Sequence, residues 1–156
     1  MVKNSRAKMP EPVYMLGPLV HNEVVVRKIK QLRIRQVQNL EPGWSKGTLI
    51  ITAHGINPII LRQAAQQGLV IVDTTCPRVR EIHSLAKKLS KEGRELIIYG
   101  DRDHIEIIGI LGETINSGIV IGSQQEILSY SFSPAKKYAL LSQTTKDLEE
   151  FTKIKE

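Results

Sequence analysis

Histidine, cysteine and acidic side chains recur at one kind of position in this sequence, directly after stretches that predict β-strands. His21 and His54 each precede a predicted helix, and Cys76 stands immediately before Pro77, which opens another. Three of the four histidines and the only cysteine of the chain occupy such positions. Ligands of open α/β sheets bind beyond the carboxyl ends of the strands. The clustering therefore predicts one functional site whose side chains share a cavity rim.

His21 and His54 carry groups that recognise an anion. A helix N-terminus presents free N–H groups and the positive end of the helix dipole, and a histidine placed there adds a further donor. A single histidine in such a turn is more often structural. Two histidines in matching positions favour a site for a diphosphate.

Cys76 ends the polar segment Asp73-Thr74-Thr75-Cys76. A helix N-terminus favours the thiolate, which is the form of cysteine that ligates metals or attacks electrophiles. A free cysteine is more often a small buried residue. A segment as polar as this one does not suit a core, so we favour a functional thiol.

His104 and Glu106 stand two residues apart after another predicted strand. A carboxyl group near a substrate hydroxyl can deliver a proton, whereas the alternative for Glu106 is a first-turn acid favoured by the helix dipole. Thr144 and Thr145 follow the last predicted strand, and their hydroxyls suit either a substrate hydrogen bond or the cap of the final helix. His83 lies at the edge of an apolar helical stripe, which predicts a structural role.

The composition of the 156-residue chain, with 41% hydrophobic and 24% charged residues, is that of a soluble globular protein. No apolar run reaches the roughly 20 residues of a membrane helix, and Met1–Pro12 lacks the apolar centre of a signal peptide. The single cysteine excludes an internal disulfide, so we expect a cytoplasmic protein.

The net charge of +6 favours anionic partners. We expect no membrane partner. A basic nucleic-acid binder is the weaker alternative, because no aromatic residues interleave with the basic ones.

Strands and helices alternate along the chain, which predicts an α/β fold of mainly parallel sheets with helices on both faces. The predicted strands are Val13–Leu16, Ile34–Val37, Thr48–Thr52, Leu69–Val72, Glu95–Tyr99, Gly118–Ile121 and Lys137–Leu141. The predicted helices are Val24–Leu32, Pro58–Gln67, one from Pro77 that stops at Gly93, Ile105–Leu111, and a last one from near Thr145. We expect a basic segment over residues 1–12, a first α/β domain over 13–76 and a second over 77–156.

Five motifs stand in order at the ends of these strands and cover nearly everything after Pro12. They are Tyr14-Met15-Leu16-Gly17-Pro18-Leu19-Val20-His21-Asn22, Thr52-Ala53-His54-Gly55, Asp73-Thr74-Thr75-Cys76-Pro77, His104-Ile105-Glu106 with Gly109, and Gln143-Thr144-Thr145. Each motif alone is weak. Together and in this order they resemble the 4-hydroxy-3-methylbut-2-enyl diphosphate reductases, the LytB family.

The resemblance implies an iron–sulfur oxidoreductase of isoprenoid biosynthesis. Enzymes of this family catalyse the last step of the non-mevalonate (MEP/DXP) pathway. They remove the hydroxyl of the allylic diphosphate and give isopentenyl and dimethylallyl diphosphates. The resemblance also implies a 4Fe-4S cluster at the centre of three α/β domains, with ferredoxin or flavodoxin as the electron donor.

The resemblance further implies a role for each matching residue. It makes Cys76 one cluster ligand and Glu106 the proton relay. It assigns the diphosphate to His21 and His54, with His104 lining the same pocket.

Two threonines complete the implied substrate site. By resemblance, Thr144 orients the substrate hydroxyl, and Thr145 belongs with it to the substrate-binding residues.

The chain also departs from the family's pattern. The family uses three cysteine ligands and this chain has one, no cysteine precedes Val13, and Ile105 stands where the family has proline. We therefore expect a truncated or partial reductase. Its first domain would lack the first strand–helix unit, and its third domain would be absent. Such a chain would have little or no activity alone, and it would self-associate or bind a complementary chain. The alternative is an inactive remnant or split-protein module that binds an anionic ligand or a complementary chain.

Overall fold

The fold is built from alternating strands and helices, and the computed structural model describes residues 9–17, 23–115 and 118–155. In the first helix, side chains are described from Val26 onward. The chain forms two compact units, with the division between Cys76 and Pro77. No helix within the described ranges is long and apolar enough to cross a membrane.

The first unit contains a four-stranded sheet in which every strand pair is parallel. Its described elements are β1 (Val13–Leu16), α1 (Glu23–Gln31), β2 (Ile34–Val37), β3 (Thr48–Ile51), α2 (Pro58–Gln66) and β4 (Val70–Asp73). The strand order is β2-β1-β3-β4. The chain leaves β1 towards one side of the sheet and resumes on the other side with β3. A topological switch point therefore lies between β1 and β3.

The central strands of this sheet are buried on both faces, as their unbroken apolar runs predict. Tyr14 and Leu16 of β1 face one hydrophobic cluster, whereas Val13 and Met15 face a second cluster on the opposite side. This period of two is that of a strand placed between two layers. Trp44 stacks on Tyr14, with the ring centroids 3.8 Å apart, and extends the first cluster.

The second unit contains a three-stranded parallel sheet with the order β6-β5-β7. Its described elements are α3 (Pro77–Lys91), β5 (Arg94–Tyr99), α4 (Ile105–Leu111), β6 (Ile119–Ile121), α5 (Gln124–Leu128), β7 (Lys137–Ser142) and α6 (Leu148–Lys155). Successive residues of β5 again alternate, because Leu96 and Ile98 face one cluster while Ile97 and Tyr99 face another. The first strand of this unit lies at the centre of its sheet, so the switch point lies beside β5.

The parallel α/β architecture predicted from the sequence is confirmed, and two helix predictions need correction. Helix α5 was not predicted, because it is short and none of its residues is buried. The last helix begins at Leu148 and not near Thr145. The reason is that the Asp147 carboxylate accepts the N–H of Glu150 at 2.9 Å and so caps the helix.

Gly47 occupies a site that only glycine fits, and the chain offers a matched control. A Cβ at Gly47 would lie 2.3 Å from the carbonyl oxygen of Pro12, and its φ is +121°. Gly43 has a φ of +87°, but a Cβ there would meet nothing within 4 Å. We expect Gly43→Ala to lower the free energy of unfolding by about 1 kcal/mol. Gly47→Ala should lower it by roughly 3 kcal/mol or more, because the clash adds to the strain.

The single Trp44 reports unfolding of the first unit, because it stacks on Tyr14 there. Urea titrations followed by its fluorescence measure both variants. Equal losses of stability in the two variants would contradict the close approach of Gly47 to Pro12.

Tyr99 couples the stability of the second unit to alkaline pH. Burial, and next the hydrogen bond that its hydroxyl donates to Glu150, raise the pKa of Tyr99 to about 12. The unfolded chain releases this proton near pH 10. The contribution to stability is therefore complete below pH 10 and is lost as the pH rises towards 12. We expect a loss of about 2–3 kcal/mol over this range.

The pH dependence of the unfolding free energy, followed by circular dichroism, tests this coupling. Tyr99→Phe should flatten the slope between pH 10 and 12. Tyr130→Phe, at an exposed tyrosine of the same unit, should leave the slope in place. A Tyr99→Phe protein with the slope of the unchanged protein would refute the coupling.

Candidate active site

Two neighbouring strands of the second unit end beside each other and place most of the candidate residues. Strands β5 and β7 pair in parallel, with Tyr99 opposite Ser142. The loop after β5 leads to His104 and Glu106, and the loop after β7 begins at Gln143. Because both loops leave the carboxyl edge of the sheet, residues far apart in sequence come into contact there.

Glu106 is a buried carboxylate whose two oxygens are both held by Thr144. Only 1% of Glu106 is exposed. Its Oε1 accepts the backbone N–H of Thr144 at 2.7 Å, and its Oε2 accepts the hydroxyl of Thr144 at 2.9 Å. Thr144 itself is exposed. Thr144 therefore links the buried carboxylate to the surface of the unit.

His104 begins the helix that carries Glu106. It is the N-cap of α4, with φ −74° and ψ 135°, and its Nδ1 accepts the N–H of Glu106 at 3.2 Å. In neutral His104 the ring proton consequently lies on Nε2, because Nδ1 acts as an acceptor. The side chain is half-buried, so this single histidine both caps the helix and presents a polar ring at the carboxyl edge.

Gln143 is a site residue that the sequence analysis did not select. It is 3% exposed. Its Oε1 accepts the backbone N–H of Asp101 at 3.0 Å, and its Nε2 donates to the Thr145 hydroxyl at 2.8 Å. Thr145 is thus exposed but already bound within its own loop. The position of Gln143 directly after a predicted strand, the criterion applied to the other candidates, would have identified it.

Charged pairs hold the loop after β5 from both sides. Lys146 binds Asp101 across a distance of 2.5 Å, and this bond lowers the pKa of the Asp101 carboxyl. On the other side, Arg102 binds Glu126 of α5 at 2.6 Å. The loop that leads to His104 is therefore tied to the segments that follow both neighbouring strands.

The first unit brings His54 and Cys76 to its own carboxyl edge. His54 follows β3 and is half-buried. The N–H of Cys76 donates to the carbonyl of Ala53 at 2.9 Å, so the loops after β3 and β4 are joined next to both residues. The hydroxyl of Thr74 donates to the carbonyl of Ile51 and strengthens this junction. His21, the partner predicted for His54, lies outside the described residues.

Each unit therefore gathers its own candidate residues. The second unit brings together His104, Glu106 and Thr144, and it adds Thr145 through Gln143. His83, predicted to be structural, lies 3.4 Å from Glu113 in the same unit.

The chain offers one cysteine ligand for an iron–sulfur cluster. Cys76 is a free, half-buried thiol directly before the 15-residue helix α3. Thiolates are the usual ligands of iron–sulfur clusters, which need several of them. The chain has one cysteine, and among the described residues no group of three His, Cys, Asp or Glu side chains is placed to hold a metal ion. The residues present thus fit one ligand and not a full set.

Comparison with known sequences finds diphosphate reductases among the relatives of this chain. The 4-hydroxy-3-methylbut-2-enyl diphosphate reductase of Clostridioides difficile (strain 630) is 37% identical over 133 residues, which are 85% of this chain and 48% of the relative. The reductase of the same name from Chlamydia trachomatis serovar A is 32% identical over 147 residues, 94% of this chain and 48% of the relative. The chain spans about half the length of the curated relatives it matches.

Solved structures of the same kind share the fold. The E-1-hydroxy-2-methyl-but-2-enyl-4-diphosphate reductase of Plasmodium falciparum superposes with a TM-score of 0.86 at 27% identity, over 98% of this chain and 48% of that chain. A structure described as (E)-4-hydroxy-3-methyl-but-2-enyl diphosphate reductase, the terminal enzyme of the non-mevalonate pathway, gives a TM-score of 0.81 at 30% identity, over 98% of this chain and 54% of that chain.

The family model described as LytB protein matches residues 1–156. The resemblance predicted from the five motifs is confirmed, and the chain belongs to the LytB protein family.

Proposed function

We propose that this chain contributes the substrate-binding and proton-delivery residues of a 4-hydroxy-3-methylbut-2-enyl diphosphate reductase. The reaction would convert the allylic diphosphate into isopentenyl and dimethylallyl diphosphates, the last step of the MEP pathway of isoprenoid biosynthesis. Membership of the LytB family supports the reaction class. The observation that carries the proposal is the buried Glu106 carboxylate bound through both oxygens to the exposed Thr144.

Glu106 and Thr144 would supply the proton that removes the substrate hydroxyl. In the overall reaction the C–O bond breaks and the hydroxyl leaves as water after taking one proton. Two electrons and a second proton then convert the allyl group into the product alkene. For proton delivery, the protonated Glu106 carboxyl would donate to the Thr144 hydroxyl oxygen, while the Thr144 hydroxyl donates its own proton to the oxygen of the substrate hydroxyl. Delivery would leave Glu106 as the carboxylate that accepts both the N–H and the hydroxyl of Thr144. The Thr144 hydroxyl therefore suits both the orientation of the substrate and the transfer of the proton from Glu106.

Histidines and helix N-termini would bind the diphosphate. His54 stands in the loop before α2, and His104 with its Nε2 proton stands at the start of α4. His21 and Thr145 belong to the same proposed set. Charge-assisted hydrogen bonds to phosphate oxygens are about twice as strong as neutral ones. Small contributions from several such donors are enough to hold a ligand with this charge.

Cys76 would be one ligand of a 4Fe-4S cluster, with the remaining ligands supplied from outside this sequence. When bound, such a cluster supplies the electrons, which ferredoxin or flavodoxin would deliver. Cys76 is a free, half-buried thiol directly before α3, and cysteine sulfurs are the usual protein ligands of such clusters. A reducing cytoplasm keeps such a thiol available, and we infer that location from the proposed chemistry.

Iron binding tests the proposed role of Cys76. We expect the chain, treated anaerobically with iron, sulfide and a small thiol, to bind iron and sulfide and to absorb visible light. Cys76→Ser should lose both, because the chain has no second cysteine to replace the ligand. Thr75→Ser, at the neighbouring position, should retain both. Absence of iron from the unchanged chain, or equal iron in the Cys76→Ser protein, would contradict the role.

Ligand affinities test the proposed substrate site without turnover, which we do not expect from the isolated chain. Calorimetry should be performed with the substrate, with dimethylallyl diphosphate, which lacks the hydroxyl, and with inorganic pyrophosphate. We expect Thr144→Val to weaken only the hydroxylated ligand by about fivefold to tenfold, the worth of one hydrogen bond. His54→Asn should weaken all three ligands by about tenfold or more, because each carries the diphosphate.

Thr152→Val is the matched control for the threonine. Its hydroxyl is exposed and binds the carbonyl of Leu148 on α6, so its loss should change none of the affinities. Equal affinity of the unchanged chain for pyrophosphate and substrate would contradict the proposal. That outcome would instead support a remnant that binds anions without recognising the substrate.

A further inference from the structure

A closed circuit of hydrogen bonds joins the two loops at the carboxyl edge of the second unit. The carbonyl of Asp101 accepts the N–H of His104 at 2.9 Å, and His104 Nδ1 accepts the N–H of Glu106 at 3.2 Å. Glu106 accepts the N–H of Thr144 at 2.7 Å. Thr144 is bonded covalently to Gln143, whose Oε1 accepts the N–H of Asp101 at 3.0 Å. Each member therefore restricts the next.

Gln143 is the side chain that closes this circuit. Without its amide, the loops after β5 and β7 would remain joined by the bonds of Glu106 to Thr144 and by the ion pair of Lys146 with Asp101, but the circuit would be open. The amide is fixed at both ends, because its Nε2 donates to Thr145 and its Oε1 accepts from Asp101. At 3% exposure it has almost no contact with water that could replace these bonds.

The amide of Gln143 packs closely against the backbone beside it. A Cβ at the buried Gly100 would lie 2.9 Å from Gln143 Oε1 and 2.5 Å from Cδ1 of Ile107. The amide thus packs directly on the end of β5. A shift of Gln143 towards β5 is blocked, and a shift away from it breaks the bond to Asp101.

We propose that Gln143 is a positioning residue, which holds the Glu106 carboxylate against Thr144 by fixing the loop that starts at Asp101. The proposal rests on the proposed function, in which Glu106 delivers the proton through Thr144. Gln143 does not itself contact Glu106 among the hydrogen bonds of this circuit. Gln143 would restrict the position of the carboxylate by two routes. One runs through Asp101 and His104 in the loop after β5, and the other through the backbone of Thr144 in the loop after β7.

Amide hydrogen exchange in the full chain tests the positioning role directly. Gln143→Met keeps the size of the side chain and removes its acceptor. We expect exchange at the N–H groups of Glu106 and Thr144 to accelerate at least about tenfold more than exchange at the core strand β5, because local opening adds to any global loss of stability. Neither N–H group donates to the Gln143 side chain, because the N–H of Glu106 binds His104 and the N–H of Thr144 binds Glu106. Loss of a hydrogen bond to the amide itself therefore cannot produce this result.

Ser90→Ala is the matched control in the same unit. Ser90 is buried and its hydroxyl accepts the N–H of Ile115 at 2.8 Å, so this variant also removes a buried acceptor of a backbone N–H. Ser90→Ala should accelerate exchange at the N–H of Ile115. It should change the exchange rates at Glu106 and Thr144 by no more than those of β5. If Gln143→Met also accelerates exchange at Glu106 and Thr144 by no more than in β5, the positioning role is wrong.

Thr145→Val decides the question if Gln143→Met does not fold. It removes the exposed hydroxyl that accepts from Gln143 Nε2, and the amide is then free to turn away from Asp101. We expect exchange at Glu106 and Thr144 to exceed that of β5 by at least about threefold, and no excess would overturn the role. Because exchange requires neither substrate nor cluster, failure of the proposed function would leave these results unaffected.

Discussion

The buried carboxylate of Glu106 imposes the main constraint on the second unit. A charged group that is 1% exposed is costly unless its oxygens are bound, and Thr144 binds both of them. Thr144 lies 38 residues away in sequence. The loop after β7 must therefore meet the first turn of α4, which requires β5 and β7 to be neighbours in the sheet. The parallel pairing that extends to Tyr99 and Ser142 provides this arrangement.

The two units share one feature of their strand order. In each, the first strand of the unit has neighbours on both sides, β2 and β3 in one case and β6 and β7 in the other. The carboxyl ends of such strands border the switch point at which open parallel sheets bind ligands. His54 follows a strand beside this point in the first unit, and the loops that carry His104, Glu106 and Thr144 follow such strands in the second. The placement of chemistry thus follows from strand order as well as from residue type.

Local patterns predicted the fold well and the site only in part. Asn57 and Pro58 indicated the start of α2, and the side chain of Asn57 does accept the N–H of Ile59 at 2.9 Å. Short polar helices such as α5 leave no comparable pattern. Glu106 and Thr144 could be selected as candidates from the sequence, because each follows a predicted strand. Their contact with each other depends on which strands pair in the sheet. No local sequence pattern encodes this pairing. Gln143 was part of the fifth motif but was given no role, because a glutamine has no reactive group, although its amide can bind two partners at once.

The exposure of Thr144 beside a buried Glu106 bears on two requirements that the proposed proton delivery would have to meet. A carboxyl group open to water would exchange its proton with the solvent, whereas a sealed one could not reach a substrate. Thr144 would meet both requirements in the proposed function, since its hydroxyl bonds to the carboxylate and the residue is exposed. The proposed relay would work only while the distance from hydroxyl to carboxylate is kept. Gly100, by lacking a side chain, lets Gln143 and Ile107 pack against the end of β5. A missing Cβ directly after one strand thus lets the residues that surround the carboxylate pack closely.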